Sequence, residues 1–121
     1  MIILFISEIV LIKPVSVVSQ NIEKDSIRIE VVDRKEVLPG VVVRVKDTNP
    51  PVGAVTDING QAVIEISERD KVLILSFIGP YTECEIYRPV DTIKVDLGNG
   101  MASYYYLGKR LKKRRLKMEG Y

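Results

Sequence analysis

The chain has 121 residues, of which 46% are hydrophobic, and it contains neither histidine nor tryptophan. This length suits one domain with a buried core rather than two domains or a disordered chain. Without histidine there is no Ser-His or Cys-His pair and no histidine-bound zinc. We therefore predict a protein that is not an enzyme and that needs no cofactor or metal.

The formal net charge of +2 conceals an uneven distribution of charge along the sequence. Seven cations lie within nine residues near the C-terminus: Lys109, Arg110, Lys112, Lys113, Arg114, Arg115 and Lys117. Without these and Glu119, residues 1–108 carry 11 cations and 15 anions, which gives a net charge of −4. The sequence thus predicts an acidic domain followed by a basic segment.

Residues 1–19 form an apolar segment that we predict to be a signal peptide. Ser19 stands where signal peptidase would cleave, which leaves residues 20–25 as a polar lead-in. Glu8 and Lys13 interrupt the apolar run and the start lacks basic residues, so an additional β-strand or a partly buried arm is the alternative. The same charges argue against a membrane span. We expect an exported protein that is periplasmic, associated with the outer membrane or secreted.

Residues 26–98 contain seven short segments in which apolar side chains either alternate with polar ones or follow one another. The predicted strands cover residues 27–33, 41–46, 53–56, 61–66, 72–78, 82–86 and 93–97. Residues 72–78 are apolar at nearly every position, which predicts a central strand covered on both faces. Seven short strands separated by turn residues predict an all-β fold of the β-sandwich type.

Two turn motifs organise these strands. Pro39 and Gly40 form a turn that leads into the second predicted strand, and Asp57, Asn59 and Gly60 form a polar turn before the fourth. Asn-Gly tolerates positive φ, and an aspartate side chain accepts hydrogen bonds from the amides that follow it, so the chain reverses tightly there. The same polar turn also looks like the start of a calcium loop. It lacks the alternating oxygen ligands and the closing carboxylate, so we interpret it as a hairpin.

The order of these motifs resembles the carboxypeptidase-regulatory-like domain over about residues 26–97. Leu-Pro-Gly-Val, Val-Thr-Asp-x-Asn-Gly and Ser-Phe-Ile-Gly occur here at spacings similar to that family's turn and strand motifs. The resemblance implies a prealbumin-like Greek-key sandwich of seven strands. It also implies a domain that stands alone or precedes TonB-dependent outer-membrane receptors, often in nutrient uptake. The residues that it marks as a structural motif are Pro39, Gly40, Thr56, Asp57, Asn59, Gly60 and Gly79.

Residues 99–121 are predicted to be a flexible tail that is rich in tyrosine and then basic. Glycines flank Asn99, and three tyrosines precede the cations. Leu111 and Leu116 are five residues apart and do not form the apolar stripe of an amphipathic helix. The cations could bind anionic lipid or an acidic protein surface, with the tyrosines at a membrane interface. A solvated terminus without a binding role is the alternative.

Two hypotheses on function follow from these observations. The first is a non-catalytic binding module of a bacterial cell envelope that acts on a protein or glycan partner, with a role accessory to outer-membrane nutrient uptake. The second is a binder of anionic membranes or acidic partner surfaces that acts through the basic tail, with the sandwich as its carrier. Export argues against nucleic acid as the partner.

Two further features have a structural and a functional interpretation. Glu83 and Glu85, with Tyr81 and Tyr87, could line a surface for sugar or protein, but alternating charge is also typical of a solvated strand face. Cys84 is the only cysteine, so no internal disulfide can form. We interpret Cys84 as a small apolar residue of a strand rather than as a reactive thiol.

Overall fold

Two β-sheets pack face to face around one hydrophobic core. The structure is a computed structural model and describes residues 24–79 and 81–118, and within these ranges every regular element is a β-strand. The predicted all-β sandwich is therefore confirmed. The predicted signal peptide lies outside the described residues. No helix long and apolar enough to cross a membrane is found between residues 24 and 118 as far as they are described.

The described part of the chain forms eleven strands. In chain order these are β1 (Lys24–Asp33), β2 (Glu36–Val37), β3 (Val42–Val45), β4 (Gly53–Val55), β5 (Gln61–Ser67), β6 (Val72–Ser76), β7 (Tyr81–Glu85), β8 (Thr92–Asp96), β9 (Met101–Tyr106), β10 (Lys109–Arg115) and β11 (Lys117–Met118). The seven strands expected from the sequence correspond to β1 and to β3 through β8. The other four were not expected, and the count of seven is corrected accordingly.

The six-stranded sheet has the order β10-β9-β8-β1-β2, and β5 also pairs with β1. The pairing of β1 with β8 is parallel, whereas the other pairings of this sheet are antiparallel. The second sheet is antiparallel and has the order β11-β7-β6-β3-β4. β6 is thus the central strand of its sheet, as predicted. Leu73, Ile74 and Leu75 are buried on both of its faces.

Alternation along each strand builds the core. Ile27, Ile29 and Val31 of β1 are at most 1% exposed, and Val43 and Val45 of β3 face them from the other sheet at no more than 2%. Burying one such side chain stabilises the fold by roughly 1.5–3 kcal/mol, so these inward rows drive the two sheets together. The alternation expected from the sequence is confirmed for β1, β3, β5, β7 and β8, whereas the predicted strand 72–78 is shorter than expected, because β6 ends at Ser76 and Ile78 is 88% exposed.

The two turn motifs are joined through one buried hydroxyl. Thr56 is 4% exposed, and its Oγ1 accepts a hydrogen bond from the Val41 amide at 2.8 Å and donates one to the Leu38 carbonyl at 2.7 Å. The Gly40 amide donates to the Thr56 carbonyl at 3.0 Å. The Thr56 hydroxyl thereby satisfies a buried donor and a buried acceptor together.

The C-terminal part of the sandwich differs from the prediction. Residues 101–118 form β9, β10 and β11 rather than a flexible tail, so the sandwich does not end at residue 98. Ala102 and Tyr104 of β9 are 1% and 2% exposed and complete the core. The predicted lead-in is also corrected, because its last two residues, 24 and 25, belong to β1.

Candidate functional site

β10 is a wholly exposed strand at one edge of the six-stranded sheet, and it carries the highest density of charge in the chain. Six of its seven residues are cations and none is an anion. These are Lys109, Arg110, Lys112, Lys113, Arg114 and Arg115, and the seventh predicted cation, Lys117, lies on β11. The structure therefore brings six of the seven basic residues singled out from the sequence together on one edge.

A two-residue turn and a buried leucine hold β10 in place. Leu107 and Gly108 both have positive φ, 52° and 80°, as in the type I′ turn that matches the twist of a hairpin. The Leu107 amide donates to Asp91 Oδ2 at 2.9 Å. At the other end, Leu116 is 8% exposed within the core cluster, and the chain then enters the second sheet as β11 beside β7. The basic strand is thus fixed at both ends.

The cations of β10 point to both faces of the sheet. Lys112 and Arg114 lie opposite Tyr104 and Ala102, whose side chains face the core. Both of these cations rest on the ring of Tyr87, with Lys112 Nζ 4.1 Å and Arg114 Cζ 5.1 Å from its centroid. A cation over an aromatic face is stabilised by about 0.5–1 kcal/mol at an exposed site.

Three of the four remaining cations lie on the outer face of the sheet, whereas Lys109 is opposite Tyr106 and lies on the same face as Lys112 and Arg114. Lys113 and Arg115 pair with Ser103 and Met101, which occupy the outward positions of β9. Arg110 is opposite Tyr105 and is separated from this group by a bulge at Leu111. The outer face of β10 therefore carries Arg110, Lys113 and Arg115.

Buried aromatic packing supports Tyr87 from beneath. The Tyr87 and Tyr104 rings meet edge to face, with centroids 5.2 Å apart at 84°. The Tyr104 hydroxyl donates to the Glu85 carbonyl at 2.6 Å and lies 3.5 Å from Cys84 Sγ. Burial raises the pKa of Tyr104 above its ordinary range and raises the pKa of the Cys84 thiol to about 11. Both groups are therefore neutral at physiological pH. Tyr104 packs against Tyr87, which in turn contacts Lys112 and Arg114 of β10.

Positive charge is uniform at β10 and mixed across the rest of the outer face. Lys94 on β8 lies over the Tyr105 ring at 4.9 Å and is 3.9 Å from Glu30 on β1. Asp96 lies on the same face as Lys94. Burial raises the pKa of Asp96, but hydrogen bonds from the Arg34 and Asn99 amides and the Asn99 side chain outweigh it and hold the pKa below its ordinary value. The carboxylate therefore keeps its negative charge.

The turn-motif residues lie away from β10, on the side of β1 where β5 and β2 pair. Asp57 Oδ1 accepts hydrogen bonds from the Asn59 amide at 2.9 Å and the Gln61 amide at 3.0 Å. This oxygen is used by the turn itself, as expected for a hairpin. Gly79 is separate from the rest, in the exposed turn after β6 with φ +106°. No three His, Cys, Asp or Glu side chains are placed to hold a metal ion in the described ranges.

Tyr81, Glu83 and Glu85 lie on the outward face of β7, and Tyr87 follows two residues after its end. Glu83 Oε2 accepts from Lys46 Nζ at 2.9 Å, and this hydrogen bond raises the pKa of Lys46. Glu85 accepts a hydrogen bond from the Tyr87 hydroxyl at 2.5 Å. Tyr81 lies at the opposite end of β7, whereas Tyr87 lies beneath the cations of β10. The role of Tyr87 was not found from the sequence, because it depends on residues more than twenty positions away.

A surface groove of about 610 Å³ lies between the β3–β4 loop and the turn before β6. Its charged side chains are three cations and three anions, and Asp70 Oδ2 accepts a hydrogen bond from the Ser67 amide at 2.8 Å. The groove thus lacks the convergent polar groups of a ligand site.

No protein-family profile, curated protein sequence or solved structure matches the chain.

Proposed function

We propose that the protein is a non-catalytic β-sandwich module of a bacterial cell envelope that binds anionic surfaces through β10. The observation that carries this proposal is the set of six exposed cations on one edge strand that is anchored at both ends. Ordering a flexible tail on binding costs conformational entropy, and an anchored strand avoids most of that cost.

The finer identity is part of the same proposal. We assign the sandwich to the carboxypeptidase-regulatory-like type, with the seven-stranded Greek-key core of prealbumin-like folds elaborated by β2 and by β9 through β11. Support comes from the turn motifs, in which Thr56 links the Leu38 carbonyl to the Val41 amide. An exported domain of this type would act as an accessory to outer-membrane nutrient uptake with a separate partner.

The absence of catalysis is proposed from the chemistry of the side chains. The sequence has no histidine, and its one thiol is buried with a pKa raised to about 11. A thiol with that pKa holds too little thiolate near pH 7 to act as a nucleophile.

The binding chemistry that fits β10 is electrostatic attraction to phosphate or carboxylate groups. A lysine or arginine near an anionic membrane contributes about 1 kcal/mol, and the sum falls as salt screens the charges. Anionic lipid and acidic protein surfaces both supply such groups, and either would be available to an exported protein.

Binding to polyglutamate and to vesicles with or without anionic lipid tests the proposal. The triple variant Arg110→Gln, Lys113→Gln, Arg115→Gln should weaken binding at least about tenfold, since each lost contact removes roughly 0.5–1 kcal/mol. The triple variant Lys35→Gln, Arg69→Gln, Lys71→Gln removes the same charge from exposed turns and should change binding less than about twofold.

The salt dependence gives a second readout. Binding of the unmodified protein should weaken steeply between low and moderate salt because the β10 side chains are exposed. Equal losses in the two triple variants would show that only net charge matters and would overturn the assignment to β10. Binding that does not change with salt would overturn the electrostatic mechanism.

A further inference from the structure

The outer edge of β10 leads to a more specific inference about the partner. Among the described strands, β10 is the last of the six-stranded sheet, and it pairs on one side with β9. We infer that an acidic, extended polypeptide segment binds this edge by adding a further strand to the sheet. This inference rests on the proposed function and names the partner class and the binding geometry.

The hydrogen-bond register shows which backbone groups face outward. The Leu116 amide donates to the Gly100 carbonyl at 2.8 Å, and residues 112–115 of β10 continue the same register with β9. Antiparallel strands alternate between hydrogen-bonded and non-bonded pairs. Lys112 and Arg114 therefore direct their amides and carbonyls towards β9, whereas Lys113 and Arg115 direct theirs away from the sheet.

Unpaired amides and carbonyls along an edge are a template for another strand. The described residues provide no backbone hydrogen bond to the outward amides of Lys113 and Arg115. All side chains of β10 are exposed, so a peptide can approach this edge without displacing a buried group.

Charge selects the occupant of the edge. If a second copy of β10 paired with the first, lysine and arginine would lie opposite lysine and arginine, and such like-charged pairs destabilise a sheet. A strand rich in glutamate or aspartate would instead place an opposite charge beside each cation. The composition of β10 thus disfavours self-association and favours an acidic partner.

The distribution of cations between the two faces favours a strand over a flat membrane. Lys112 and Arg114 lie on the core-side face over Tyr87, and Arg110, Lys113 and Arg115 lie on the outer face. A flat surface laid on the outer face would contact only the second group. It would also meet Glu30 and Asp96 of the same sheet. Successive side chains of an added strand point to opposite faces and can reach both groups of cations.

A matched pair of variants tests strand addition. Lys113→Ala and Lys113→Pro remove the same charge, but only proline also removes the outward amide, and it leaves the hydrogen bonds to β9 in place. The probe is a fluorescent eight-residue peptide in which pairs of glutamates alternate with pairs of threonines, so that an added strand presents carboxylates on both of its faces. We expect Lys113→Ala to weaken binding about two- to fivefold and Lys113→Pro to weaken it at least tenfold more.

A second measurement leaves the protein unchanged, which matters if Lys113→Pro fails to fold. The peptide is N-methylated at alternate amides, in one phase at every odd-numbered residue and in the other phase at every even-numbered residue. Methylation removes these hydrogen-bond donors and keeps the charge. One of the two phases should abolish binding, because an added strand directs every second amide towards β10.

The outcomes separate this inference from the proposed function. If both methylated peptides bind as well as the unmethylated peptide, strand addition is wrong. A loss of binding in the triple variant Arg110→Gln, Lys113→Gln, Arg115→Gln would still support electrostatic binding. If vesicles containing anionic lipid bind and the acidic peptide does not, the partner class is wrong. If neither binds in a salt-dependent way, the inference and the proposed function both fail.

Discussion

Gly60 is the residue at which the polar turn meets β1. Its φ is +75°, and a Cβ placed there would lie 2.7 Å from the Val31 carbonyl oxygen and 3.1 Å from the Leu38 amide nitrogen. The contact with Val31 is too short for a real Cβ, so a side chain at this position forces the backbone to move. The Gly60 carbonyl also accepts a hydrogen bond from the Val31 amide at 2.8 Å, which any movement would weaken.

We expect Gly60→Ala to lower the free energy of unfolding by more than about 2 kcal/mol, from left-handed strain and from the backbone shift together. Gly40→Ala is the matched control. Gly40 has a similar φ of +83°, but no atom lies within 4 Å of its Cβ position, so the strain of about 1 kcal/mol should be its whole cost. Chemical denaturation measures both variants. Equal losses would contradict the close approach to Val31.

Alkaline pH should destabilise the fold through the buried thiol. The pKa of Cys84 is raised from 9.0 to about 11 by burial, so the folded state favours the protonated thiol. Its contribution is present in full below pH 9 and is lost as the pH rises towards 11. Each pKa unit corresponds to about 1.4 kcal/mol, so the full contribution is about 3 kcal/mol, of which roughly 2 kcal/mol should be lost by pH 11. Tyr104, whose pKa is also raised by burial, adds to the loss above pH 10.

Unfolding measured from pH 8 to 11 checks this expectation. Cys84→Ala should be less stable at pH 8 because a buried side chain is shortened, but its stability should fall less steeply up to pH 10. The other tyrosines and the lysines titrate in both proteins and cancel in the comparison. Parallel curves for the two proteins would show that the thiol makes no contribution.

Among the elements, the β9–β10 hairpin contains an unusual turn residue. Leu107 is 79% exposed and has a φ of +52°, a conformation that costs a branched side chain about 1 kcal/mol and that asparagine adopts more readily. Leu107→Asn should therefore stabilise the protein by about 0.5–1 kcal/mol. Leu107→Ala keeps the strain and should leave the stability unchanged within about 0.5 kcal/mol. The same stability in both variants would mean that the turn is unstrained.

A strand can be predicted from the sequence when apolar residues on its buried face alternate clearly with polar residues on its exposed face. β1 and β5 bury rows of aliphatic residues, mostly isoleucine, whose alternation with exposed residues identifies both strands without a structure. In β9 the inward residues are Ala102 and Tyr104, between serine and further tyrosines, so the alternation in hydrophobicity is weak. β10 shows no alternation in hydrophobicity, because none of its side chains is buried. It is a strand because it pairs with β9.

The candidate site was predictable in composition but not in conformation. The cations of the C-terminal segment are plain in the sequence, and their density alone suggests binding to anions. Their placement on an edge strand depends on Tyr87, which lies beneath Lys112 and Arg114, and on Leu116, which enters the core. These contacts join residues that are distant in sequence, so the strand propensity of the C-terminal segment alone does not predict them.

At the scale of the whole molecule, β10 and β11 are part of the sandwich rather than an appendage. The chain crosses from the six-stranded sheet to the other one at Leu116, and this crossing covers one side of the core. Deletion of residues 109–121 therefore does not simply separate a carrier from a binding tail. It also removes a core leucine and the strand that covers the edge of β9.

Deletion of residues 109–121 should consequently lower the melting temperature by about 10 °C or more. Loss of Leu116 from the core costs roughly 2 kcal/mol, and a loss of 1 kcal/mol lowers the melting temperature of a domain of this size by about 4–8 °C. The variant Arg110→Gln, Lys113→Gln, Arg115→Gln keeps the strand and Leu116, so its melting temperature should stay within about 3 °C of the unmodified protein. If the truncated chain melts with the full-length one, β10 does not stabilise the sandwich. If instead the glutamine variant melts as early as the truncated chain, the charges themselves hold the strand in place, and binding losses in that variant would have to be attributed to unfolding.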